Sequence, residues 1–248
     1  MRSIRWVLIT VIKLLVAALL KVQVQGLERV PLSGAVILAT NHINSSDAFV
    51  VRAIMPRDIT AWAKAEIWQN PLLRTLVESL EMIPLRRGEL DLHSVRLALG
   101  DLAKGKMIGI APEGTRSWHG RLQQGRPGLV FLTQHAPETF ILPTAVYGQE
   151  RFRNYILRLR RTPVNVVFGQ GFHLDVADGQ DVRKVRREII DEVMAQIAAL
   201  LPPEYRGVYG DLSAATERFL LFPPGATSSL QRALATGATM DAEAQEAE

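Results

Sequence analysis

A chain of 248 residues, 48% hydrophobic and 22% charged, holds enough apolar surface for one sizeable core, which excludes a disordered or collagen-like polypeptide. Its 29 Lys and Arg against 25 Asp and Glu leave a formal charge of +4, favouring an anionic partner without choosing among nucleic acid, a membrane surface and a phosphorylated ligand. The absence of cysteine excludes a disulfide framework, a thiolate zinc site and an acyl-cysteine intermediate.

Residues 6–20 are apolar apart from Thr10 and Lys13, with Arg2, Arg5 and Lys21 as basic flanks. As a helix at about 1.5 Å per residue the segment reaches roughly 22 Å, short of the roughly 30 Å of a bilayer's hydrocarbon core. Lys13 near its middle further disfavours a clean span. On a helical wheel Arg2, Arg5, Thr10, Lys13 and Lys21 share one arc, interrupted by Trp6, Ile9, Val16 and Leu20. The expected element is a membrane-associated helix lying in one leaflet, with Lys13 snorkelling to the headgroups. A cleaved signal peptide and an ordinary buried helix are the alternatives. Val16-Ala17-Ala18 would pass as a cleavage site, but Lys13 interrupts the apolar centre that a signal needs.

Beyond Pro31, short runs rich in Val and Ile alternate with helical stretches, the pattern of an α/β layer fold. Strands are predicted at 35–39, 59–63, 81–85, 107–110, 140–146 and 164–168. Helices are predicted at 71–80, with Asn70 as N-cap and Pro71 at the first position; at 92–104, with Asp91 as N-cap and Gly105 closing it; and at 182–201, stopped by Pro202-Pro203. After Phe222 the composition turns to Pro, Gly, Ala, Thr and Ser, and the last eight residues carry four acids and no base. The expected organisation is an N-terminal helix over 1–27, one α/β domain over 28–212, and a low-complexity disordered tail over 213–248.

Several motifs fail. Residues 100–106 have P-loop spacing, but Met107 replaces the Ser/Thr and the segment leads from helix to strand, the reverse of what the motif requires. The five histidines show no pair at helical metal-ligand spacing, so no metal site is expected.

The chemistry concentrates in loops at strand ends. Asn41-His42-Ile43-Asn44-Ser45-Ser46-Asp47 follows the strand at 35–39. On one continuous helix, residues five apart are turned by about 140° from each other, so His42 and Asp47 meet only if the chain turns between them. With Ser45 or Ser46 capping a helix that carries Asp47 in its first turn, the carboxylate can accept the imidazole N–H and leave the other ring nitrogen as a general base. The nucleophile is then a hydroxyl on the substrate, as in a serine triad without its serine. The plainer reading is a locally bonded histidine and an aspartate that merely caps. Ala111-Pro112-Glu113-Gly114-Thr115-Arg116-Ser117, after the strand at 107–110, sets a glycine, two hydroxyls and a guanidinium side by side, suited to a phosphate and a polyol. Ile83-Pro84-Leu85-Arg86-Arg87-Gly88 adds paired arginines at a third strand end. Each basic loop taken alone reads equally as a solvated turn.

Together, N-H-x-x-x-x-D, I-P-x-x-R-G, P-E-G-T-R-S and Ile141-Leu142-Pro143-Thr144-Ala145 resemble, in order and spacing, the four blocks of the glycerolipid acyltransferases, in particular the bacterial 1-acylglycerol-3-phosphate acyltransferases. Similarity extends through Trp62-Ala63-Lys64-Ala65-Glu66 and residues 120–128. The resemblance implies a single mixed-sheet α/β acyltransferase domain flanked by helices. It implies transfer of a fatty acyl group from acyl-CoA or acyl-carrier protein to the sn-2 hydroxyl of 1-acylglycerol-3-phosphate, giving phosphatidate, at the cytoplasmic face of the cell membrane, with the enzyme peripheral or monotopic.

Residue by residue, it makes His42 the base and Asp47 its orienter. Glu113, Gly114, Thr115 and Arg116 would hold the glycerol phosphate, and Arg87 matches the second-block arginine because Gly88 follows it, with Arg86 as the alternative. Lys64 matches a lysine assigned an oxyanion or phosphate contact, or else rides the membrane surface beside Trp62. Thr144 stands where the fourth block usually has valine, which bears on acyl-chain preference. Expected partners are anionic membrane lipids, the lysophospholipid acceptor and the acyl donor, with no metal, resident cofactor or nucleic acid. Arg151, Arg153, Arg158, Arg160 and Arg161 are interleaved with Ile156, Leu157 and Leu159, a pattern better suited to a membrane surface than to nucleic acid. The rival activities are acylation of glycerol-3-phosphate, an ornithine lipid or another lysolipid, and thioester hydrolysis by the same His–Asp pair.

Overall fold

The computed structural model describes residues 2–44, 46–86, 91–176 and 181–246. An α-helix, α1 (Arg2–Leu19), passes without a loop into strand β1 (Leu20–Gln25). There follow β2 (Val36–Thr40), α2 (Asp47–Ile54), β3 (Ile59–Lys64), α3 (Pro71–Ser79), β4 (Ile83–Leu85), α4 (Leu92–Ala103) and β5 (Met107–Ile110). The second half adds α5 (Gly128–His135), β6 (Phe140–Tyr147), α6 (Phe152–Ile156), β7 (Thr162–Phe168), β8 (His173–Leu174), α7 (Val182–Ala198), β9 (Leu220–Leu221) and α8 (Ser229–Glu246).

The main sheet has seven strands in the order β1-β7-β6-β2-β5-β3-β4. Strands β6, β2, β5, β3 and β4 run parallel, β7 is antiparallel to β6, and β1 joins the outer edge parallel to β7. The sheet is therefore mixed, as expected. Because both faces are covered, the central strands read as continuous apolar runs. In β2, Ile37 and Ala39 pack with Ile108, Ile141, Ile189 and Val193 under α4, α5 and α7, while Val36 and Leu38 pack with Leu142, Val146, Val50 and Val51 under α2.

The predicted caps hold: the Asn70 side chain accepts from the N–H groups of Leu72 and Leu73, and Asp91 accepts from Ser94. Strand β4 starts two residues later than its pattern suggested because Glu81 adopts a left-handed φ of 55°, closing α3 with a bond from Met82 N–H to the Val77 carbonyl.

Two boundaries differ from the sequence reading. Residues 1–27 are not a helix alone, since L-K-V-Q-V-Q alternates as β1 and registers Leu20 through Gln25 against Thr162 through Val167. The helix runs directly into the strand with no turn residue between them, which hid the change of period.

The expected tail, as far as it is described, over 213–246, is not loose either. Phe219, Leu220 and Leu230 are buried, and β9 pairs with β8. Glu192 and Gln196 of α7 accept the backbone N–H groups of Arg218, Phe219, Ser229 and Leu230. Few but well-spaced apolar anchors outweigh the polar composition.

Helix α1 lies against α2 and α3 with Ile12 buried and Val16 half-buried. Arg5 belongs to this inner side, 3.0 Å from Asp58 and in contact with Glu81, rather than to a headgroup-facing arc. The outer side exposes Ile4, Trp6, Val7 and Leu14, while Val11 and Leu15 border an apolar cavity that α1 shares with Phe49, Val50 and Leu76. No helix among the described residues is long and apolar enough to cross a membrane.

Candidate active site

The loop after β2 is fixed from both directions. The Asn41 side-chain amide pairs with β6, donating to the Val146 carbonyl and accepting from the Val146 N–H, both at 2.8 Å. His42 follows, and its Nδ1 lies 3.0 Å from Asp47 Oδ2. The turn needed to bring the two together is supplied by Asp47 itself. Its carboxylate accepts the N–H groups of Ile43 at 2.8 Å and Asn44 at 2.9 Å, folding the chain back over the first turn of α2. Ser46 occupies the N-cap position, but its side chain makes no capping bond, and Ser45 lies outside the described residues. With Nδ1 engaged, Nε2 is the ring nitrogen left to meet a substrate.

A fourth donor to Asp47 was not visible in the sequence. Gln149, 1% exposed in the short turn after β6, donates its Nε2 hydrogen to Asp47 Oδ1. Gly148 permits that turn: its φ is 99°, and a Cβ there would stand 2.7 Å from the Pro163 carbonyl oxygen. A glutamine 102 residues from its partner carries no local signal. Gln149→Leu is expected to lower kcat about tenfold with little change in KM, because Asp47 loses one of the bonds that orient it, and Gln149→Asn to restore part of the loss. Steady-state kinetics on both variants check this.

Glu113 joins the second loop to the first. Its Oε1 accepts the His42 N–H at 2.8 Å and its Oε2 the Gln123 N–H at 2.9 Å, with the residue 2% exposed. Burial pushes its carboxyl above the usual glutamate range, opposed by those two backbone bonds. With one backbone N–H on each oxygen, Glu113 ties the second loop to the first. The Ser117 N–H adds a bond of 2.8 Å to the His42 carbonyl.

His42 stands between two cavities. One is apolar, walled by Leu38, Phe49, Val51, Leu80 and Met82, and bounded by Arg52, which donates to the Ile59 carbonyl. The other is lined by Trp62, Gly114, Phe131, two arginines, Arg86 and Arg126, and the Asp91 carboxylate. The Arg86 N–H bonds to Asp91 at 3.0 Å, and this bond with those from Ser94 holds the Asp91 carboxyl down at about 2.

Gly114, left-handed at φ 70°, closes the turn beginning at Ala111 and packs against the Arg126 side chain, where a Cβ would meet Cδ at 2.8 Å. Past that turn Thr115 and Arg116 line neither cavity, and the Arg116 guanidinium rests 4.8 Å from the Trp118 ring centroid. Lys64 also lines neither cavity; it is exposed and lies 3.3 Å from Glu66. Arg87, the second-block arginine of the sequence reading, lies outside the described residues. Arg126, absent from that reading, is the cation that the fold places beside Gly114.

A His–Asp pair beside the carboxyl ends of parallel strands, between an apolar cavity and one lined by two arginines, is an arrangement able to supply a general base. Residues 21–147 match the Acyltransferase family, just over half of the chain, and the chain belongs to that family.

It is 27% identical over 97 residues to the 1-acyl-sn-glycerol-3-phosphate acyltransferase of Bacillus subtilis (strain 168), covering 39% of this chain and 49% of that one. It is 29% identical over 153 residues to the enzyme of the same name from Limnanthes alba, covering 59% and 53%. The chain thus spans about half the length of the curated relatives it matches. The crystal structure of the 1-acyl-sn-glycerophosphate (LPA) acyltransferase PlsC from Thermotoga maritima superposes with a TM-score of 0.56 at 20% identity, covering 75% of this chain and 78% of that one, and shares its fold.

Proposed function

We propose that this protein acylates the sn-2 hydroxyl of 1-acylglycerol-3-phosphate, using acyl-CoA or acyl-carrier protein as donor. The observation that carries the reading is His42 Nδ1 at 3.0 Å from a buried Asp47, with the imidazole facing both an apolar cavity and one lined by two arginines. Family membership and relatives named for this activity support it.

In the proposed reaction His42 Nε2 takes the proton of the acceptor hydroxyl as its oxygen attacks the thioester carbonyl, and the imidazolium returns a proton to the departing thiolate. Asp47 holds the ring in the required tautomer. The apolar cavity receives hydrocarbon, and Arg86 and Arg126 face the acceptor's phosphate, with Arg116 and Arg87 as the further cations carried by the family blocks. No acyl-enzyme and no bound cofactor are needed for these steps.

The test is a product assay with one acyl-CoA and a panel of lysolipid acceptors, run with and without acceptor. Phosphatidate formed from lysophosphatidate is the expected result. Fatty acid released at the same rate without acceptor identifies a thioesterase instead, and a preference for another acceptor corrects the substrate. Arg126→Ala should raise KM for the phosphate-bearing acceptor about tenfold or more and leave KM for the donor near wild type. Equal loss of both would reassign Arg126 to the donor's phosphates.

The same reading places the enzyme at the cytoplasmic membrane face, with the outer side of α1 in one leaflet. Trp6 and Leu14, both exposed on α1, would bury large apolar side chains in the interface. Trp6→Ser combined with Leu14→Ser should weaken co-sedimentation with vesicles about tenfold or more without lowering Tm. Undiminished sedimentation would remove α1 from the contact.

A further inference from the structure

Helix α6 runs out into a turn in which the N–H groups of Arg158 and Arg160 both bond to the Tyr155 carbonyl at 3.0 Å. That closure sets Leu159 in the left-handed region at φ 51°, the conformation that helix ends usually give to glycine because a Cβ is crowded there. The Leu159 side chain is 97% exposed, and Leu157 is 75% exposed. A single exposed leucine is ordinary. Here two of them project from one tight turn, one held in unfavourable backbone, and neither contributes to the core.

The turn stands beside the end of α1. Arg161, the next residue, directs Nε and Nη2 to the Leu20 carbonyl at 3.1 and 2.8 Å, and Thr162 registers with Leu20 in the ladder of β1 and β7. The exposed leucines therefore stand at the C-terminal end of α1, where the helix passes into β1. Arg153, Arg158 and Arg160 are exposed around them. This alternation of leucine and arginine fits a surface that is apolar within and anionic at its boundary.

We infer that the 157–160 turn is a second membrane-contact element, with Leu157 and Leu159 entering the interface of an anionic bilayer while Arg158 and Arg160 meet lipid phosphates. The inference rests on the membrane reading of α1 above. Two contacts on one rigid body fix the orientation of the cavities toward the lipid, where a single helix would allow rotation about its axis.

The test uses the full chain and sedimentation with vesicles of phosphatidylethanolamine, with or without phosphatidylglycerol. Leu157→Ser with Leu159→Ser should reduce partitioning at least tenfold. Arg158→Glu with Arg160→Glu should do so on the anionic vesicles and have little effect on the neutral ones, since each basic residue near an anionic surface strengthens binding about fivefold. Leu159→Gly separates lipid contact from folding. It relieves the backbone, so Tm should hold or rise while vesicle binding falls, whereas a structural leucine would show a lowered Tm. Wild-type binding matched by both double variants overturns the inference and leaves α1 as the contact. Wild-type protein that binds no vesicle overturns both.

Discussion

Replacement of His42 by alanine is expected to lower acyl transfer by about 10²–10⁴-fold, because the transition state loses its proton acceptor. The fold should not register the change. The bonds that anchor this residue to its surroundings run through its backbone, from the N–H to Glu113 and from the carbonyl to Ser117, and they survive truncation of the ring. The side chain itself contributes the one bond to Asp47. A transfer assay with labelled acyl donor, read beside a thermal melt, checks both halves. Undiminished transfer would place the base elsewhere and dismantle the mechanism.

Asp47→Asn is expected to behave differently, losing both activity and stability. The carboxylate receives the Ile43, Asn44 and Gln149 N–H groups as well as the histidine, and an amide of the same shape must turn its NH₂ toward some of these donors. Each buried donor left unmatched costs about 1–3 kcal/mol. A chain of this size loses roughly 2–4 °C in Tm per kcal/mol, so a drop of several degrees should accompany a fall in kcat of about 10²-fold or more. A variant with wild-type Tm and reduced kcat would show that Asp47 orients the ring without building the loop.

The parallel strands and the site loops were legible because each carries its own local signal. The strand at 107–110 is a short apolar run and that at 140–146 is interrupted only by Thr144, and the His42–Asp47 spacing implied a turn that the structure supplies. What escaped depends on partners far along the chain. β1 is defined by β7, α8 by acceptors on α7, and Gln149 by a carboxylate at the start of α2. Glu113 shows a subtler limit, since its place in P-E-G-T-R-S located it correctly while its neighbours in sequence gave no hint that both oxygens face backbone N–H groups. Arg126 belongs to the same class: only the close approach at Gly114 identifies it as part of the second loop.

The direct passage of α1 into β1 sets a timing problem for the nascent chain. Leu20 has no sheet to join until Thr162 has been made, about 140 residues later, and at roughly 5–20 residues per second that interval lasts roughly 7–28 s. For about the first 60 of those residues the apolar α1 lacks the α2–α3 surface it packs against, and for all of them it lacks the strand that anchors its end, so another hydrophobic surface near the ribosome can reach it first. The order of synthesis thus favours capture of this helix before the sheet is complete.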